Sequence, residues 1–136
     1  MNGSVPSIGR VTFVAHFVVA LIVGLGLLLV PDYFGGLLGW GATPSPLELD
    51  PVLRAFGALV LGMGALTSFY GMLTKSWARV DYIVRGEITY LVLGTLVFLI
   101  SALLGRGPAV GNWVFTVVCL VLLVLFVLTW MARPKK

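Results

Sequence analysis

The sequence predicts an all-α membrane protein: a single bundle of four transmembrane helices with both termini in the cytoplasm. Three observations predict it. Of the 136 residues, 60% are hydrophobic and only 10% charged, more apolar surface than a water-soluble chain of this size can bury. The apolar residues fall into four runs, at 11–30, 52–73, 82–104 and 113–131. Each run is close to the ~20 residues that cross ~30 Å of hydrocarbon as a helix. The basic residues, finally, crowd the segments at one end of those runs.

Helix is the one conformation open to each run, because a backbone in lipid must satisfy its polar groups within the segment. The first run exceeds the ~7–15 residues of a signal-peptide core, and "VPDYFGGLLGWG" follows it in place of a small-x-small cleavage pattern. It reads as a retained span. The second run begins near "DP" at 50–51, with a competing capping-box start in "SPLE" at 45–48. Between the first two runs, Tyr33, Phe34, Leu37, Leu38 and Trp40 alternate with glycines. That mixture suits a segment lying at the headgroup boundary.

Net charge is +4, and its distribution points to topology rather than to nucleic acid. Arg10, Lys75, Arg79, Arg85, Arg133, Lys135 and Lys136 flank one end of the spans, and Arg54 and Arg106 the other. The positive-inside rule places the richer end in the cytoplasm, so the chain reads as a multi-pass protein of the inner (cytoplasmic) membrane. Expected partners are the lipid bilayer and other membrane subunits or a second copy of the chain.

Helices in lipid pack through small residues and polar contacts. Gly57, Gly64 and Gly71 recur every seven residues in the second run, with Ala58, Ala65 and Ser68 beside them. In the first, His16, Ala20 and Gly24 share one face at a spacing of four. In the third, Glu87, Tyr90, Gly94 and Ser101 fall near a common face. The fourth has only isolated Thr116 and Thr129, and of the four it is the one expected to turn most of its circumference to lipid or a partner.

Counted from the cytoplasmic end, His16 and Glu87 both lie roughly 8–9 Å deep. Ser68 and Tyr70 lie at comparable depth and Tyr90 slightly deeper, so these five are candidates for one intramembrane polar cluster. Ionisable groups in a membrane are costly and face protein or water. A His16–Glu87 contact would lower that cost, either as a structural tie or as a pocket for a ligand or proton. Asp81 and Arg85, acid first at i,i+4, explain each other. Glu87 lies about 200° around the helix from Arg85 and cannot join them. At the opposite end Arg54 is expected to pair with Asp50 or Asp32, or to reach lipid headgroups.

Several chemistries are excluded or left without support. Cys119 is the one cysteine, so no disulfide or dithiol centre forms within the chain. One histidine cannot build a histidine-based metal site, and the five acids are scattered, so no metal site and no catalytic residue is expected. No phosphate-binding glycine loop is present. No cofactor is predicted, although His16 could in principle ligate haem or chlorophyll. Small multidrug exporters have an essential glutamate in the first helix, where this chain has His16 and no acid.

The stretches "LLLVPDYFGGLLGWG" and "DPVLRAFGALVLGMGALTSFYG", within residues 26–72, resemble the DoxX-like superfamily of small four-helix membrane proteins. The resemblance implies a four-helix integral membrane protein, with some relatives serving as membrane subunits of quinone-linked oxidoreductases. Arg54 and Gly57 match the pattern, but no catalytic residue is carried over. The expectation is a non-catalytic accessory or structural subunit of a larger membrane complex. The alternative is a small carrier or a haem-, pigment- or quinone-binding subunit using the His16–Glu87 region.

Overall fold

The computed structural model describes residues 3–39 and 50–135. Its order is α1 (Ser7–Leu29), α2 (Pro31–Leu37), α3 (Asp50–Leu59), a π-helical segment (Val60–Leu66), α4 (Thr67–Leu73), α5 (Trp77–Leu103) and α6 (Ala109–Met131). From α3 through α4 the chain is one continuous helix, Asp50–Leu73, so four helices are long and apolar enough to cross a membrane. Among the described residues there is no strand, only an isolated bridge between Ser4 and Ser76.

Each long helix starts two to five residues before the corresponding apolar run, because helical hydrogen bonding continues through turns that are not fully apolar. Asp50 opens α3. The "SPLE" pattern and Trp40 lie outside the described residues. Pro31 ends α1 and opens α2, whose return folds the Phe34 ring over Gly26, where a Cβ would meet it at 2.4 Å. The α5–α6 turn is a Schellman motif. Gly105 takes φ 62°, Arg106 N–H reaches the Ser101 carbonyl at 2.9 Å and Gly105 N–H that of Ala102 at 3.2 Å.

The N-terminal segment seals one end of the bundle. Val5 N–H donates to Lys75 O at 3.0 Å and Trp77 N–H to Gly3 O at 2.8 Å, so the segment supplies an acceptor for an orphan donor of the α5 start. The 74–76 turn and the N-terminal segment therefore share this end. Trp77 is fully buried there, a core residue at the end of a span.

Small residues set the packing of α1 on the Asp50–Leu73 helix. A Cβ on Gly57 would stand 2.7 Å from Leu28 N and 2.8 Å from Gly24 O. On Gly64 it would stand 2.9 Å from the Ala20 Cβ, and on Gly71 it would enter the Phe13 ring at 2.6 Å. The heptad of glycines is thus one antiparallel seam along α1. Ala58 is exposed and outside it. Gly94 is also different: an added Cβ would meet only Cys119 Sγ at 3.5 Å, so α5 uses no obligatory glycine there.

The remaining packing reverses one expectation. α6 is seated in the fold, burying Asn112, Phe115, Thr116, Cys119, Leu122, Phe126 and Thr129. Its Thr129 hydroxyl meets that of Thr12 at 2.8 Å. The helix with most of its surface uncovered is α5, with 11% of its most apolar stretch buried against 33% for α6. Fragmentary polarity in α6 concealed a continuous aromatic and aliphatic stripe. α5 packs along α6, and a side-chain core including Phe13, Val84, Leu91 and Phe126 ties both to α1. α5 has no extended close backbone approach to the Asp50–Leu73 helix. Those two are joined by a short turn yet held apart beyond it.

Candidate functional site: a groove over His16 and Glu87

The gap between the Asp50–Leu73 helix and α5 is a groove of about 380 Å³. One wall includes Leu59, Val60 and Met63, and the other Ile83, Gly86 and Tyr90. At its floor are His16 from α1, Glu87 from α5 and Thr67 from α4. The volume is within the range of ordinary small-molecule pockets, and apolar walls with a few convergent polar groups are their usual chemistry. A smaller cavity of about 60 Å³ adjoins it, sharing His16, Phe56, Val60 and Tyr90.

His16 is fixed from three sides. Nδ1 and the Ser68 hydroxyl share a 2.8 Å hydrogen bond, and the Phe126 ring meets the imidazole edge-on at 5.2 Å. Nε2 faces Glu87 Oε2 at 3.7 Å, within ion-pair range but beyond a direct hydrogen bond. His16 and Glu87 are 5% and 9% exposed. With Ser68 donating to Nδ1, the ring proton sits on Nε2 and points at the carboxylate; with the opposite tautomer, Nε2 is an acceptor.

Glu87 is held loosely. Its Oε1 lies 3.4 Å from the Thr67 hydroxyl, and that hydroxyl also faces the Met63 carbonyl and, at 3.3 Å, the Gly64 carbonyl. A hydroxyl has one proton, which the backbone contacts claim. Neither Thr67 nor His16 comes within the 2.7–2.9 Å of a charge-assisted bond to the carboxylate. Glu87 therefore keeps accepting capacity toward the groove.

Thr67 was not anticipated from the sequence. It follows the π-helical segment, whose widened turns supply Val60, Met63 and Gly64 to the groove wall. Such segments are rare and frequent at functional sites, and no periodicity marks them. Of the five expected cluster residues, the fold brings together His16, Glu87 and Ser68. Tyr90 lines the groove but is half exposed, at its rim rather than its floor. Tyr70 is not brought in: two positions beyond Ser68, it points about 200° away and is exposed.

The mouth has its own pattern. Tyr82, Gly86 and Tyr90 recur at i, i+4, i+8 on α5 and all line the groove. A Cβ on Gly86 would meet nothing within 4 Å, so no internal packing calls for glycine. Its effect is to leave a gap between two tyrosines, opening onto Glu87.

Arg54 lies elsewhere. Its Nε donates to Asp50 Oδ2 at 2.7 Å and its Nη1 to the Leu28 carbonyl at 2.7 Å. The latter is an orphan acceptor at the α1 C-terminus, so Arg54 caps α1 from a neighbouring helix, with Asp32 adding to its electrostatic environment. Arg85 and Asp81 pair at 2.8 Å, away from Glu87. Among the described residues, no third histidine, cysteine or acid joins His16 and Glu87 into a metal-binding group. A haem or chlorophyll metal at Nε2 would have to displace the Glu87 carboxylate.

Compared with protein-family models, with curated proteins and with solved structures, the chain matches none of them.

Proposed function

We propose that this chain is a non-catalytic, four-span protein of the inner membrane that holds a small lipophilic molecule in the groove over His16 and Glu87. The termini and the 74–76 turn face the cytoplasm in this reading, because Arg10, Lys75, Arg79 and Arg133 gather at that end. The observation that carries it is the pairing of apolar walls with a carboxylate–imidazole floor, between two helices that are linked yet separated. Membrane ionisable residues without a committed partner mark ligand or ion pathways by default. An apolar ligand body fills the groove and its adjoining cavity, while its polar head meets Glu87 and His16. A DoxX-like ancestry is compatible with this reading.

Native mass spectrometry of protein extracted gently from its membrane tests it. A small molecule retained by the wild type and absent from Gly86→Leu, which plugs the mouth, is the expected result. Equal retention by both forms contradicts it.

A second reading draws on a different observation. Most of α5 is uncovered, including Leu93, Leu96, Val97 and Ile100. In that reading the chain is an accessory subunit whose α5 face is covered in a larger membrane complex. Stable co-purification of another membrane protein, lost on placing a bulky tryptophan at Val97, supports it; a protein that remains alone after mild extraction does not.

A further inference from the structure

We propose that the groove selects a lipophilic organic cation, with an ammonium- or phosphonium-type head on an apolar body, and that Glu87 is its counter-charge. This rests on the reading of the groove as a binding site.

The sign of the charge follows from what surrounds Glu87. Among the described residues, no lysine or arginine lines the groove. Arg85, two residues before Glu87, is engaged by Asp81 on another face. From α1 the facing group is His16, whose Nδ1 is tied to Ser68 and whose Nε2 stops 3.7 Å short. From α4 it is Thr67, whose proton is claimed by backbone carbonyls. A carboxylate in an apolar surround without full compensation is expensive. A cation entering the groove supplies that compensation, whereas an anion adds repulsion and a neutral head leaves the charge unanswered.

The walls supply the rest of the recognition. Phe56, Tyr82 and Tyr90 line the same groove, and aromatic faces attract cations through their quadrupoles. Tyr82 and Tyr90 flank the Gly86 gap, so a head passing inward crosses between two rings before reaching Glu87. The bulk of the ligand then rests on Leu59, Val60 and Met63, which need no polar partner. A strongly hydrated inorganic cation fits this lining poorly, because it offers few oxygens.

The test uses the full chain in phosphatidylcholine nanodiscs, with binding to empty discs subtracted. Three probes of similar bulk are compared: the cation tetraphenylphosphonium, the anion tetraphenylborate and the neutral triphenylmethanol. Saturable phosphonium binding, about one per chain, is expected, with no saturable borate component. Glu87→Gln should weaken it about tenfold or more, the scale of one lost charge contact, while Glu87→Asp retains a measurable part. If triphenylmethanol saturates and the phosphonium does not, or if folded Glu87→Gln binds phosphonium like the wild type, cation selection is overturned and the groove reading stands. If none of the three saturates, both fall.

Discussion

His16 Nε2 and Glu87 Oε2 stand 3.7 Å apart at the floor of a groove between two helices. Ser68 fixes the ring from behind, and α6 presses Phe126 against its edge. The pair joins α1 to α5, which also share the side-chain core.

Ser68→Ala removes the fixed partner of His16 Nδ1 in a fully buried position. An unsatisfied buried polar group costs about 1–3 kcal/mol, so detergent-solubilised protein should melt earlier. Nitrogen NMR of the imidazole should also show the tautomer balance change. Unchanged melting together with an unchanged tautomer would remove Ser68 from this role.

The glycines separate by position. Gly57→Ala forces a methyl onto the backbone of α1 and should destabilise by about 1–3 kcal/mol. Gly62→Ala meets nothing within 4 Å and should stabilise by up to about 1 kcal/mol through helix propensity. Thermal unfolding of both variants in one detergent gives the comparison, and equal effects would refute the seam.

Thr12 and Thr129 share a buried 2.8 Å hydroxyl contact between α1 and α6. A double-mutant cycle with valine at each position should give a coupling of about 0.5–1.7 kcal/mol, the range of side-chain bonds between membrane helices. A coupling near zero would mean that each hydroxyl is satisfied by its own helix, since Thr12 also reaches Ile8 O and Thr129 reaches Leu125 O.

Much of this architecture is legible in the residues. Apolar length alone defines the four long helices. The heptad Gly57, Gly64, Gly71 and the tetrad spacing of His16, Ala20 and Gly24 mark both sides of one seam, because close backbone approach demands small residues. Equal depth brings His16, Ser68 and Glu87 to one level. The role of α6 was hidden for a physical reason: Phe115, Leu122 and Phe126 face the core, and lipid tails would suit them equally well. Thr67 was hidden by the π-helical segment, which shifts a helical face without any compositional mark. The groove itself was hidden because a short turn between Leu73 and Trp77 implies adjacent helices, while their divergence depends on how α5 is drawn onto α6.

The most direct test is saturable binding of tetraphenylphosphonium and of triphenylmethanol to the full chain in phosphatidylcholine nanodiscs, wild type against Gly86→Leu. The added side chain has free space around its first carbon, so circular dichroism and melting should match the wild type. The groove account predicts saturable binding of at least one of the two by the wild type and its loss in Gly86→Leu. Equal saturable binding by the two proteins, or no saturable binding of either probe by the wild type above empty discs, would contradict it.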